Sequence, residues 1–123
     1  MMSGRILVAE DNPSNQKLIS ILLQKIGVEV TIAEDGQIAV DKALDGAYDL
    51  ILMDMQMPNL NGYDASRQLR DKGCKTPIIA VTANAMMGDE EKCVEAGCDG
   101  YISKPIDRAK LSEVVARYIP ITV

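Results

Sequence analysis

Short apolar runs alternate with amphipathic segments along the chain, and this alternation predicts repeated strand–helix units. The apolar runs are short and end at turn or cap residues, which favours strands that are buried on both faces over buried helices. The predicted strands are Ile6–Ala9, Val28–Ala33, Asp49–Met53, Pro77–Val81 and Gly100–Ser103.

The segments between and after these strands have apolar residues at helical spacing. The first predicted helix has Asn12 as its cap, Pro13 in its first turn and Gly27 as its stop. Its apolar positions recur on one face and are Leu18, Ile19, Leu22, Leu23 and Ile26. The other predicted helices are Ile38–Leu44, Tyr63–Asp71, Ala85–Ala96 and a last helix with Leu111, Val114, Val115 and Tyr118 on its apolar face.

Five strand–helix units predict an α/β fold, a doubly wound five-stranded parallel sheet with helices on both faces. The reason is that each right-handed crossover between parallel strands lays a helix over the sheet. No linker composition interrupts the pattern, and 123 residues suffice for one core. We therefore expect a single domain over residues 1–123, with its core at about 5–118.

Polar residues end four of the five predicted strands. Glu10 and Asp11 follow the first strand, Asp54 the third, Thr82 the fourth and Lys104 the fifth. Parallel strands have their carboxyl ends at one edge of the sheet, where open α/β sheets bind ligands. The pattern therefore predicts that these five residues converge on one site.

Composition removes several classes of function. The chain has no histidine, which excludes histidine-based acid–base catalysis and histidine-ligated metals. A net charge of −5 argues against direct nucleic-acid binding, and no apolar stretch is long enough to cross a membrane. The three cysteines, Cys74, Cys93 and Cys98, form no C-x-x-C motif and are expected to be buried or idle thiols in a reducing cytoplasm.

The predicted edge residues suit phosphoryl transfer. Three carboxylates at one spot repel one another, and Mg²⁺ is the cation whose preferred oxygen ligands they supply. The Lys104 ammonium and the Thr82 hydroxyl are suited to hold phosphoryl oxygens. Without histidine, the expected nucleophile is a carboxylate, and Asp54 stands apart from the Glu10–Asp11 pair.

Four motifs together resemble the response-regulator receiver domains of two-component signalling over about residues 5–118. They are Glu10-Asp11-Asn12, the run from Met53 to Pro58 with Gly62 after it, Thr82-Ala83, and Lys104-Pro105. The first two motifs look most like those of receivers attached to hybrid sensor histidine kinases. The resemblance implies a flavodoxin-like sheet of strand order 2-1-3-4-5 and a signalling domain that catalyses only its own phosphorylation and dephosphorylation.

The resemblance also implies roles for individual residues. Asp54 would accept a phosphoryl group from a phosphohistidine of a histidine kinase or a histidine phosphotransfer domain. Asp11, Asp54 and the main-chain carbonyl of Gln56 would bind Mg²⁺, with Glu10 acting directly or through water. Lys104 would pair with the phosphoryl group.

The same resemblance assigns the switching and tuning residues. Thr82 and Tyr101 would switch the surface formed by the fourth helix, the fifth strand and the fifth helix. Gln56 and Asn84 occupy positions that tune acyl-phosphate lifetime, and the Lys104–Pro105 peptide is expected to be cis.

Other readings stay open on the sequence alone. One alternative is a degenerate receiver that only serves as a docking module for a partner protein. Another is a small Mg²⁺-dependent phosphohydrolase with Asp54 as nucleophile. A third hypothesis is a flavin-binding protein with the same fold. The absence of a glycine-rich phosphate-binding motif from the sequence argues against it. Tyr101 is equally explained as a half-buried strand residue. The run Asp89-Glu90-Glu91-Lys92 is expected to be a solvated face, or else to pair with Arg108, Lys110 and Arg117 across a homodimer.

Overall fold

The computed structural model describes residues 4–57, 59–82, 89–104 and 106–119 as five strands that alternate with five helices. The strands are β1 (Arg5–Ala9), β2 (Glu29–Ala33), β3 (Leu50–Asp54), β4 (Ile78–Thr82) and β5 (Gly100–Ser103). The helices are α1 (Pro13–Ile26), α2 (Gly36–Asp45), α3 (Gly62–Asp71), α4 (Asp89–Glu95) and α5 (Arg108–Tyr118).

The five strands form one parallel sheet of order β2-β1-β3-β4-β5. Leu7 of β1 lies opposite Thr31 on one side and Ile51 on the other. The chain order reverses between β1 and β3, so their carboxyl ends flank the crevice where doubly wound sheets bind ligands. The predicted fold class and strand order are confirmed.

Alternate residues of the buried strands face opposite layers of helices. Ile6 and Val8 belong to a core that contains residues of α1 and α5, whereas Leu7 belongs to one that contains residues of α2, α3 and α4. Both faces of the sheet are therefore covered, which explains why the strands have continuous apolar runs rather than alternating ones.

The ends of the helices follow local sequence signals. Asn12 caps α1 through Oδ1, which accepts hydrogen bonds from the backbone N–H groups of Ser14 and Asn15. Gly27 ends α1 with a φ of 98°, in the left-handed region that glycine adopts without strain. Both signals were read correctly from the sequence.

Some boundaries differ from the prediction by one or two residues. Strand β3 spans Leu50–Asp54 rather than Asp49–Met53, because the Asp49 side chain accepts a hydrogen bond from the N–H of Arg5 while Asp54 pairs with Val81. Helix α2 begins at Gly36, two residues before the predicted Ile38, because Asp35 caps it. Residues 85–88 of the predicted fourth helix lie outside the described residues.

Within the described residues none of the three cysteines forms a disulfide, and Cys93 and Cys98 are buried while Cys74 is half-buried, as predicted. None of the helices in the described residues is long and apolar enough to span a membrane.

Candidate functional site

Three carboxylates meet at the carboxyl edge of the sheet. Glu10 directly follows β1, Asp11 is the next residue, and Asp54 ends the adjacent strand β3. One carboxylate oxygen from each lies within 4.8 Å of the others. The two strands at the reversal of strand order thus supply all three acidic groups, and the predicted convergence is confirmed for these three residues.

Lys104 joins this cluster from the far edge of the sheet. Its Nζ lies 3.0 Å from Oδ2 of Asp54 and 3.4 Å from Oε1 of Glu10. The backbone N–H of Lys104 donates to the carbonyl of Thr82 at 2.8 Å. This hydrogen bond continues the β4–β5 pairing and positions the main chain of Lys104. One ammonium therefore bridges two of the three carboxylates.

Glu10 is buried in an unusual electrostatic environment. Its side chain is 1% exposed, and among the described residues its Oε1 has no hydrogen-bond partner. Burial first and the neighbouring Asp54 second raise the pKa of Glu10 from 4.5 to about 7, against the opposing effect of Lys104. Loss of water by itself would lower the pKa of Lys104, but Asp54 and Glu10 outweigh that effect and raise it.

The donors at this site suit a hard divalent cation. All are oxygens, and Oε1 of Glu10, which has an ion pair with Lys104 at 3.4 Å, accepts no hydrogen bond within the described residues and so has capacity for a cation. One lysine does not balance three clustered carboxylates, so a cation would lower the repulsion. Mg²⁺ prefers carboxylate, carbonyl and water ligands, and the residues present fit it.

Gln56 follows Asp54 in the β3–α3 loop. Its backbone N–H donates to Oδ1 of Asp54 at 3.0 Å, while its side chain is exposed. The main chain at Gln56 is therefore next to the carboxylates, and its side chain is free to contact solvent or a ligand.

Thr82 and Tyr101 lie on the strands beyond β3. Thr82 is the last residue of β4, is 2% exposed, and pairs with Ser103 of β5. Tyr101 lies two residues before Ser103 and is 37% exposed, so its ring is at the surface rather than in the carboxylate cluster. Ala83, Asn84 and Pro105, together with the predicted cis peptide, lie outside the described residues.

The sequence pattern did not predict one residue that holds the loop at the site by a hydrogen bond. Nε2 of Gln16 in α1 donates to the backbone carbonyl of Glu10 at 2.6 Å. A polar residue in the first turns of an amphipathic helix carries no motif that would have singled it out. Gln16 nevertheless ties α1 to the loop that presents Glu10 and Asp11.

The charged residues considered for a homodimer are exposed. Glu91 and Lys92 of α4, and Arg108, Lys110 and Arg117 of α5, all face solvent. Arg117 already pairs with Glu113 one turn earlier at 2.9 Å. The solvated-face interpretation of Glu91 and Lys92 agrees with this exposure, and association through these helices stays a prediction.

Comparison with known proteins gives consistent matches over almost the whole chain. The family described as "Response regulator receiver domain" matches residues 6–116. Hybrid signal transduction histidine kinase I of Dictyostelium discoideum is 49% identical in an alignment 124 residues long. The alignment covers 94% of this chain and 7% of that kinase. The chain thus spans a small part of the relative it matches.

Two solved structures have the same fold at substantial sequence identity. The receiver domain of the sensor histidine kinase PA1611 of Pseudomonas aeruginosa PAO1 superposes with a TM-score of 0.87 and 45% identity, covering 94% of this chain and 97% of that one. That structure has a magnesium ion coordinated in its active site cleft. The receiver domain of Ssk1 of Saccharomyces cerevisiae, in complex with the histidine phosphotransfer protein Ypd1, gives a TM-score of 0.90 at 30% identity over 95% and 89% of the two chains.

Proposed function

Because the chain belongs to the response regulator receiver domain family of two-component signalling, we propose that it is a phosphoacceptor in which Asp54 receives a phosphoryl group from a partner's phosphohistidine. The observation that carries the proposal is the contact of Lys104 with Asp54 at 3.0 Å inside a cluster of three carboxylates. An ion pair between Lys104 and Asp54 that served only the fold would not require Glu10 and Asp11 beside it.

In the proposed step, a carboxylate oxygen of Asp54 attacks the phosphorus of the phosphohistidine. A P–O bond forms while the P–N bond breaks, and the imidazole nitrogen leaves with the bonding electrons and takes a proton from water. The Lys104 ammonium and the Thr82 hydroxyl hold phosphoryl oxygens, which keeps the added charge next to a fixed positive group. In this proposal the chain catalyses only its own phosphorylation and dephosphorylation.

Glu10, Asp11, Asp54 and the main-chain carbonyl of Gln56 would hold Mg²⁺, Glu10 either directly or through water. When bound, the cation offsets the charge that accumulates between the carboxylates and the phosphoryl oxygens. Support for this cation comes from the all-oxygen donor set and from the magnesium ion in the PA1611 receiver domain.

Phosphorylation would shift the population of conformations read by other proteins. Thr82 would follow the phosphoryl group and Tyr101 would follow Thr82, which changes the surface formed by α4, β5 and α5. The expected partner is a histidine kinase or a histidine phosphotransfer domain, in line with the Ypd1 complex of the Ssk1 receiver, and a homodimer through the same surface is also proposed. The domain, with its core at about 5–118, would act in the cytoplasm.

The test is intact-protein mass after incubation with acetyl phosphate, with Mg²⁺ or with EDTA. We expect the wild type to gain one phosphoryl group only with Mg²⁺, and Asp54→Asn to gain none. The matched control is Asp71→Asn, which alters an exposed aspartate at the end of α3 and should behave as the wild type.

The outcomes separate the competing functions. No phosphoryl gain in the wild type under any condition overturns the proposal and favours a docking module. Sustained release of phosphate from small phosphoesters, lost in Asp54→Asn, favours a phosphohydrolase instead.

A further inference from the structure

Two loops at the carboxyl edge are joined by one hydrogen bond between side chains. The β2–α2 loop carries Asp35, and the β3–α3 loop carries Asn59. Nδ2 of Asn59 donates to Oδ2 of Asp35 at 3.0 Å. The other oxygen of Asp35, Oδ1, accepts the N–H of Ile38 at 2.8 Å and caps α2. Asp35 therefore serves its own helix with one oxygen and the neighbouring loop with the other.

The backbone around this pair is shaped for close contact between the loops. Asn59 has a φ of 67°, a left-handed conformation that asparagine tolerates better than most residues. Gly36 packs under the carbonyl of Leu60, where an added Cβ would lie 1.9 Å from the oxygen. The β3–α3 loop thus rests directly on the start of α2.

The β3–α3 loop also carries the main chain of Gln56, which is a proposed ligand group. The loop is closed where Gly62 donates its N–H to the carbonyl of Met55 at 3.2 Å. Asn59 lies in this loop between Met55 and Gly62. Its hydrogen bond to Asp35 connects the described part of the loop to the β2–α2 loop. A shift of the loop at Asn59 would be transmitted along the main chain to Gln56.

We propose that Asp35 and Asn59 are positioning residues that hold the β3–α3 loop so that the Gln56 carbonyl faces the carboxylate cluster. This inference rests on the proposed function, since it takes that carbonyl to be a ligand of Mg²⁺. Neither residue belongs to the proposed ligand set. Both act through the loop, as hydrogen-bonded partners outside the ligand set orient many metal ligands.

The geometry separates this role from a purely stabilising one. Asn59 is exposed, and a hydrogen bond between partly exposed side chains contributes little to the free energy of folding. The cap on α2 uses the other oxygen of Asp35 and survives when Asn59 is changed. Loss of the hydrogen bond should therefore weaken metal binding much more than it lowers stability.

The experiment measures the Kd of Mg²⁺ alone by calorimetry, with thermal unfolding in EDTA recorded for each variant. Asn59→Gly keeps access to positive φ and removes the amide, so we expect Kd to rise about tenfold with little change in melting temperature. Combining Asp35→Asn with Asn59→Asp reverses donor and acceptor while keeping the cap, the bond and the net charge. This double variant should return Kd to within about twofold of the wild type.

The matched control is Gln37→Ala, which removes a comparable exposed hydrogen bond of 3.1 Å to Asp41 on the same helix. Its Kd should equal that of the wild type. The ¹³C shift of the Gln56 carbonyl on addition of Mg²⁺ gives a readout that a stability effect does not move, and it should shrink in Asn59→Gly.

A wild-type Kd in Asn59→Gly, or a reversed pair that fails to restore Kd, overturns the inference and leaves the proposed function standing. Absence of Mg²⁺ binding in the wild type defeats both.

Discussion

At the scale of single residues, Glu10 has the environment least like that of an exposed carboxylate. It is enclosed between Asp54 and Lys104, and its Oε1 has no hydrogen-bond partner within the described residues. Burial without that hydrogen bond disfavours the charged form, and Asp54 adds like-charge repulsion. Glu10 is consequently the group through which pH acts most directly on this site.

We predict that Glu10 makes the metal-free protein less stable as pH rises. The pKa is 4.5 for the ordinary group and about 7 in the fold, so between these values the folded chain binds more protons than the unfolded chain. The contribution of Glu10 is thus fully present below about pH 4.5 and is lost as pH rises through about 7. The whole loss is on the order of 3 kcal/mol.

Urea unfolding in EDTA at about pH 5 and about pH 8 checks this prediction. Glu10→Gln should gain stability relative to the wild type at the higher pH, because the amide never ionises. Glu113→Gln, which changes an exposed glutamate, should follow the wild type at both values. Parallel stability profiles for the wild type and Glu10→Gln would show that Glu10 titrates normally.

At the scale of elements, Arg70 connects α3 to two loops. Its guanidinium donates to the carbonyls of Gly97, Cys74 and Thr76, each at 2.9 Å, and pairs with Asp99 at 3.0 Å. Oδ2 of Asp99 also accepts the N–H of Ile78, the first residue of β4. One side chain thus links the end of α3, the start of β4 and the turn before β5.

Replacing Arg70 by methionine is expected to lower the free energy of unfolding by about 2–4 kcal/mol, because three backbone carbonyls and Asp99 lose their donor. Arg67→Met on the same helix is the control. Arg67 is half exposed and pairs only with Asp64 in the described contacts, so its loss should cost under about 0.5 kcal/mol. Denaturant midpoints that fall equally in both variants would refute the special role of Arg70.

The contact between α2 and the β3–α3 loop gives a second prediction at this scale. Alanine favours a helix over glycine by about 1 kcal/mol, yet Gly36→Ala should destabilise the protein by about 1–3 kcal/mol. The added Cβ would lie 1.9 Å from the backbone oxygen of Leu60. Gly100→Ala, whose Cβ would meet only the end of Ile79 at 3.2 Å, should change the melting temperature far less. A stabilised Gly36→Ala would contradict this close packing.

At the scale of the whole molecule, binding of the proposed cation would be coupled to folding. The carboxylates come from two separate strand ends, so the site exists only when the sheet is formed. A cation that binds the folded chain but not the unfolded chain stabilises the fold by mass action.

We expect Mg²⁺ at about a hundredfold over its Kd to add about 2.7 kcal/mol to the free energy of unfolding. Asp11→Asn should abolish most of this increment, whereas Asp71→Asn should retain it. Thermal melts in Mg²⁺ and in NaCl of equal ionic strength separate specific binding from charge screening. An equal shift in both salts would count against a specific site.

The order of the elements and the residues at the strand ends could be predicted from local sequence patterns. Apolar runs of strand length can be read locally, and so can the cap at Asn12 and the stop at Gly27. Because parallel strands share a carboxyl edge, the grouping of Glu10, Asp54 and Lys104 followed from the pattern as well. The strand order came from resemblance to a family, since five doubly buried strands look alike in hydrophobicity.

Which side chains meet, and with what energetic consequence, depends on how distant segments pack in the folded chain. The hydrogen bond between Asp35 and Asn59 joins residues 24 positions apart, and the Lys104–Asp54 contact joins residues 50 apart. The raised pKa of Glu10 and the shift of β3 by one residue likewise depend on packing between distant segments. Local pattern encodes which face of an element is apolar, whereas distances, burial and hydrogen-bond partners arise only when separate elements come together.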